Sequence, residues 1–154
     1  MLGALAARGT MGGMDPALLS LLAARRLGVL VTLKRDGRPQ LSNVIYAWDD
    51  GARTILVSVT GTRAKTANLR RDPRASFYVT TDDGWAYAVA EGDAELGAET
   101  QAPDDAAADH LVDLYRRLQG EHADWDDYRA AMVAERRLVL RLPVERVYGQ
   151  APRG

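Results

Sequence analysis

The sequence contains no cysteine. That excludes a disulfide framework, a thiol nucleophile and a cysteine-ligated zinc or iron–sulfur centre. Histidine is nearly as scarce. His110 and His122 are the only two, and neither stands in a His/Asp/Glu spacing that suits a metal. An excess of one charge is missing too: 20 Lys and Arg residues face 21 Asp and Glu, for a net charge of −1. Broad attachment to nucleic acid or to a membrane surface needs a basic surplus, so any anion site has to be local. No apolar run reaches the length of a membrane span. The lack of thiols, of a signal peptide and of a span fits a cytoplasmic protein. The glycines are scattered through turns and strand starts, with no dinucleotide-binding fingerprint.

What is present fits one domain over 15–150, behind an Ala- and Gly-rich stretch over 1–14 that is expected to be disordered. Met14 is a second candidate start. Asp15 caps a helix over 16–26, with Pro16 at its first position. β-Branched runs separated by Asp36-Gly37 and Asp49-Asp50-Gly51 predict strands over 28–34, 39–48 and 53–59. On the second strand Leu41, Asn43, Ile45 and Ala47 share one face, and Gln40, Ser42, Val44 and Tyr46 the other. A short helix follows over 63–71, capped by Thr62 and closed by Asp72-Pro73. Strands over 74–81 and 85–96, helices over 104–119 and 125–135, and strands over 137–143 and 145–150 complete the chain. Six or seven antiparallel strands with few helices predict a mainly β fold, a closed β-barrel with peripheral helices.

Lysine is the rarest charged residue. Lys34 and Lys65 stand alone against 18 arginines, and Lys65 falls in "TGTRAKTANLRRDPRAS" at the start of the short helix. The first turn of a helix offers free backbone N–H groups and a partial positive charge. With the hydroxyls of Ser58, Thr60 and Thr62, a glycine, Arg63 and Lys65, it forms a phosphate cradle where a strand gives way to a helix. Arginine grips two phosphate oxygens at once, and lysine acts as a point charge. Arg70, Arg71 and Arg74 extend the positive field. The same run also reads as a solvated basic helix face, with Thr62 only a cap.

Several segments carry a resemblance: "GVLVTLKRDGRPQLSNVIY", "TRAKTANLRRDPRASFYV", "DDGWAYAVAEGDAEL", "LYRRLQGEHADWDDYRAAMVAERR" and the closing "RVYG". From about Leu19 to Gly149 the chain resembles the split β-barrel flavin-binding superfamily, which includes pyridoxamine phosphate oxidases. It is most similar to the actinobacterial branch that binds the deazaflavin coenzyme F420, and to the subgroup of small mycobacterial F420-binding proteins, some of which reduce biliverdin. The resemblance implies a homodimeric, FMN-binding-like split barrel with the cofactor at the subunit interface. It implies that Arg63 and Lys65 hold the cofactor phosphate, with Ser58, Ala64 and Thr66 beside them. Asn68 would support the loop or touch the cofactor tail. Gln40, Ser42 and Asn43 would line the deazaflavin ring, and Trp85 and Tyr87 of a partner chain would close over ring or substrate. The extension over 1–14 departs from the pattern and would occlude or extend the site.

Trp85 and Tyr87 alternate along a predicted strand, which suits stacking on a flat ring or burial at a dimer seam. The acidic "DWDDYR" segment is expected to open a helix, and Leu111, Leu114, Tyr115 and Leu118 to face the core. The function implied is F420H2-dependent reduction of a small organic acceptor. The alternatives are an FMN enzyme similar to pyridoxamine phosphate oxidase, and a non-catalytic F420 carrier. No side-chain nucleophile is evident, and no residue is assigned as proton donor.

Overall fold

The structure is a computed structural model that describes residues 13–153. The first twelve residues of the extension expected over 1–14 lie outside the described residues. Helix α1 (Pro16–Ala24) leads into β1 (Leu27–Leu33), β2 (Pro39–Ile45), β3 (Ala47–Asp49) and β4 (Thr54–Thr60). Helix α2 (Ala64–Arg71) precedes β5 (Arg74–Thr80), β6 (Tyr87–Asp93) and β7 (Glu95–Leu96). Helices α3 (Ala106–Gln119) and α4 (Trp125–Ala134) then lead to β8 (Arg137–Pro143) and β9 (Arg146–Gln150). Asp15 caps α1 as expected, its Oδ1 accepting from the Ala17 N–H at 2.9 Å.

The strands form two antiparallel sheets: β2-β1-β5-β6-β9 and β3-β4-β8-β7. This corrects the expectation of a closed barrel in favour of a split one, and the reason is visible at the corners. The predicted strand over 39–48 breaks at Tyr46, where β2 leaves the first sheet and β3 joins the second. The predicted strand over 85–96 begins only at Tyr87 and breaks at Ala94, between β6 and β7. The chain crosses back at Val144, between β8 and β9. Tyr46, Ala94 and Val144 are all buried. At each, the backbone N–H makes one last bond in register with the ladder it is leaving, to the carbonyl of Arg26 for Tyr46, Pro73 for Ala94 and Arg53 for Val144, before the chain passes to the other sheet. Two predicted strands thus become four, and neither ladder closes on itself.

Between the sheets, Leu30, Phe77, Val79, Ala88 and Ala90 meet Ile55, Val57, Val59, Leu138, Leu140 and Leu142, and α1 plugs the space with Leu18, Leu21 and Leu22. Gly28, expected only as a strand start, leaves room for Phe77: a Cβ there would strike its ring. A smaller core lies behind the second sheet, where Leu111, Leu114 and Met132 of α3 and α4 cover Ala47, Leu56 and Val139. No helix among the described residues is long and apolar enough to cross a membrane.

Tyr46 holds the first corner. Its ring meets Phe77 edge-on at 4.7 Å, and its hydroxyl donates to the Leu22 carbonyl in the last turn of α1. Tyr46→Phe leaves that buried carbonyl without its partner. We expect a loss of about 1–3 kcal/mol in denaturant unfolding. A variant as stable as the parent would show that the bond does not hold the corner.

Candidate functional site

The junction of β4 and α2 is built around one carbonyl. Ile55, Val57 and Val59 of β4 face the core, so Leu56, Ser58 and Thr60 face the opposite way. Thr60 O accepts from the Thr66 hydroxyl at 2.8 Å and from the Arg63 N–H at 3.2 Å. The Gly61 N–H donates to Arg136 O at 2.9 Å, which extends the pairing with β8 into the loop. These bonds decide where the helix starts. Thr62, expected as its cap, is exposed and lies before it. Arg63 holds the N-cap position in extended geometry, with no side-chain cap. The N–H groups of Ala64 and Lys65 make no hydrogen bond among the described residues. They are the free first-turn donors that an anion needs.

The cations around the helix divide into neutralised and free. Glu99 takes two of them, pairing with Arg70 at 3.1 Å and Arg136 at 3.0 Å. Arg70 also donates to Gly61 O at 2.8 Å. Gly61 has no room for a side chain, because a Cβ would collide with the Glu99 carboxylate. Arg74 is paired with Asp72 at 2.8 Å, and Arg71 donates to Leu33 O at 2.6 Å. The field expected from Arg70 and Arg74 is therefore largely cancelled. Arg63 and Lys65 form no ion pair among the described residues. Lys65 is half-buried, and its pKa falls below the ordinary 10.5, first through burial and then through the charges of Arg63 and Arg137. A local positive potential without a counter-charge remains at the start of α2.

Ser58, Arg63, Ala64, Lys65 and Thr66 thus come together. Thr66 is fully buried with its hydroxyl committed to Thr60 O, so it shapes the loop. Asn68 is buried too. Its Nδ2 donates to Gln40 Oε1 at 2.9 Å and Thr32 Oγ1 at 3.1 Å, which ties α2 to the first sheet. Gln40 and Ser42 face the α2 side of β2 and are half-buried, whereas Asn43 lies on the outer face beside Val29. Within one chain these three do not line a common wall.

Trp85 and Tyr87 stand elsewhere. Trp85 is not on a strand. It sits in the β5–β6 connection, 69% exposed, where its N–H donates to Asp83 Oδ1 at 3.0 Å. Thr81 and Ala86 exchange hydrogen bonds that hold this connection wide. Tyr87 opens β6 and lies 6.0 Å from Tyr78, ring to ring. The register places this connection beside the Leu27 end of β1, while α2 packs at the Thr32–Leu33 end. One chain therefore cannot bring Trp85 to the cradle. The register also gathers Leu27, Leu41, Ile45, Tyr78 and Tyr148, all exposed, on the outer face of the five-stranded sheet.

Sequence reasoning passed over two residues here, Glu99 and Arg137. Arg137 opens β8 directly opposite Thr60, and Ser58 lies opposite Val139. The alternation in "RLVLR" places Arg137, Val139 and Arg141 on one face, but the strand they meet is fixed only by the fold. Elsewhere, Asp124 caps α4, as the acidic run predicts. His122 joins Tyr115, Trp125 and Tyr128 in an aromatic cluster at the α3–α4 corner.

Comparison with known proteins agrees with this architecture. The chain is 27% identical over 133 residues to the F420H2-dependent biliverdin reductase of Mycobacterium tuberculosis, spanning 86% of this chain and 85% of that protein. A conserved hypothetical protein of Mycobacterium tuberculosis superposes with a TM-score of 0.68 at 27% identity, covering 90% of this chain and 85% of the other. The structure of an F420 reductase superposes at 0.63 with 24% identity, covering 88% and 98%, and shows the common fold. Residues 14–151 match the sequence model of pyridoxamine 5′-phosphate oxidase. This match over almost the whole chain, with two split sheets to go with it, places the protein in the pyridoxamine 5′-phosphate oxidase family.

Proposed function

We propose that the protein is an F420H2-dependent reductase of a small or planar organic acceptor, working as a homodimer with its cofactor between the subunits. The observation that carries this reading is the pair Arg63 and Lys65, without carboxylate partners among the described residues, beside the N–H groups of Ala64 and Lys65 that are free among them. That donor set fits a phosphate group. The similarity to a mycobacterial F420H2-dependent enzyme favours the deazaflavin among phosphate-bearing cofactors. Arg63 and Lys65 would hold the phosphate, and Ser58 would lie beside it. When bound, the reduced deazaflavin supplies a hydride. The chain's own residues bind the anionic end, orient the ring and exclude water.

The homodimer is supported by the outer face of the five-stranded sheet. A contiguous apolar face of this kind needs covering. A second copy offers the same residues back across a two-fold axis. It would also carry a second Trp85 and Tyr87 toward the partner's cradle, which one chain cannot do.

FMN is the second reading, because the donor set makes no distinction between one phosphate ester and another, and the family takes its name from pyridoxamine 5′-phosphate oxidase. A non-catalytic carrier is the third. Titration of purified protein with F420 and FMN side by side separates the first two. We expect F420 to bind and FMN to bind more weakly, and the reverse order would transfer the assignment to FMN. Turnover of F420H2 with any acceptor among quinones, nitroaromatics, enones and biliverdin would dismiss the carrier.

Arg63→Ala and Lys65→Ala should each weaken cofactor binding by roughly 1.5–3 kcal/mol with the fold intact. Unchanged affinity in both would remove the cradle. Lys65 binds an anion only when protonated, and its pKa lies below the ordinary value in the free protein. Affinity should therefore fall as pH rises, beginning below the normal lysine range, and Lys65→Arg should abolish that decline. Light scattering should find a dimer, and Tyr78→Glu, on the covered face, should give a monomer with impaired cofactor binding. A monomeric parent protein would refute the interfacial site.

A further inference from the structure

Arg137 is poorly matched by the protein around it. Its Nη2 pairs with Glu135 at 3.1 Å. Its Nη1 reaches Ser58 Oγ and O only at 3.4 and 3.5 Å, too long for good hydrogen bonds. Its Nε is buried and has no partner. Two other partly enclosed arginines find nearer acceptors. Arg129 takes Pro103 O at 2.7 Å and Asp109 at 2.9 Å, and Arg70 takes Gly61 O and Glu99. A half-buried guanidinium with spare donors is costly unless something else accepts from them.

The fold also sets it beside other positive groups. Arg137 pairs with Thr60 across the sheet, and Thr60 O is the acceptor that fixes the Arg63 N–H and the Thr66 hydroxyl. Lys65 lies between, close enough for Arg63 and Arg137 to depress its pKa. Among the described residues, Glu135 is the one carboxylate paired with Arg137. Tyr128 faces Arg137 with its phenol pushed up to about 12 by burial, and its hydroxyl is already committed to Leu111 O at 3.1 Å. Glu99 is occupied by Arg70 and Arg136.

We propose that Arg137 is a third cation of the cradle, its Nη1 edge binding the cofactor phosphate together with Ser58, Arg63 and Lys65 while Glu135 holds the guanidinium in place. The inference rests on the reading of the β4–α2 junction as an anionic-cofactor site. It adds a residue from β8, far along the chain from the helix. It also explains an arrangement that is unfavourable without an anion: like charges converge here, and phosphate binding compensates them.

The test is titration of F420 and FMN into the parent protein, Arg137→Gln and Arg137→Lys. Arg137→Gln should weaken whichever cofactor the parent binds by about tenfold or more. Arg137→Lys keeps the charge but loses the fork and should fall between. Removing a positive neighbour also raises the Lys65 pKa, so the alkaline decline in affinity should move to higher pH in Arg137→Gln. A neighbour that only perturbs Lys65 would displace the pH profile while leaving affinity at neutral pH unchanged, so the loss at neutral pH reports contact with the phosphate. Affinity within twofold of the parent in both variants, or weakening with the pH profile unmoved, overturns the proposal. If Arg137→Gln does not fold, Arg137→Lys decides alone by its affinity. If the parent binds neither cofactor, the functional reading fails by itself. Arg137 is then judged by thermal unfolding with millimolar inorganic phosphate: stabilisation of the parent that is lost in the variants supports it, and an equal or absent response refutes it.

Discussion

The carbonyl oxygen of Thr60 is the constraint from which the site follows. It accepts from the Thr66 hydroxyl and the Arg63 N–H while its own strand is still paired with β8. A part-buried carbonyl needs partners, and here they come from the N-cap and first turn of the next helix. They pull α2 against the end of the sheet and leave the next N–H groups unbonded. The free donors are thus a consequence of how a strand ends. Arg63, Lys65 and the β8 side chains gather around that point because the sheet register leaves them no other place.

Much of this was legible in the sequence. The β4–α2 junction could be read from Thr60 through Lys65, because caps, glycines and paired cations are local signals. The capping of α1 by Asp15 and of α4 by Asp124 was equally local. What escaped were the places where tertiary contacts override a continuous pattern. Alternation runs unbroken through Tyr46, and nothing nearby announces that the strand will leave its pairing with β1 there. The Trp85–Tyr87 alternation likewise implies a strand, but Asp83 and Thr81 capture the backbone first. Thr62 looks like a cap, but the N-cap position falls to Arg63, which the Thr60 carbonyl holds through its N–H.

Charge was the least legible property. The run of arginines after Lys65 reads as one positive field, yet Glu99 and Asp72 cancel much of it. Arg137 lies far from Lys65 in sequence and beside it in the fold. Net charge near zero at the level of the chain is therefore compatible with a concentrated cationic spot, because Arg70, Arg74 and Arg136 nearby are paired with carboxylates. The family membership and the geometry reinforce each other here. The family match accounts for the split sheets, while the division of the cations into paired and unpaired is a property of this chain's own side chains.

Gly61 ties these points together. A methyl group there would strike the Glu99 carboxylate, and Glu99 is what occupies Arg70 and Arg136. Displacing it would release a pair of guanidiniums toward the loop. The glycine thus governs the valence of the site as well as its shape: a single hydrogen atom in place of a side chain decides how many positive charges an incoming anion meets.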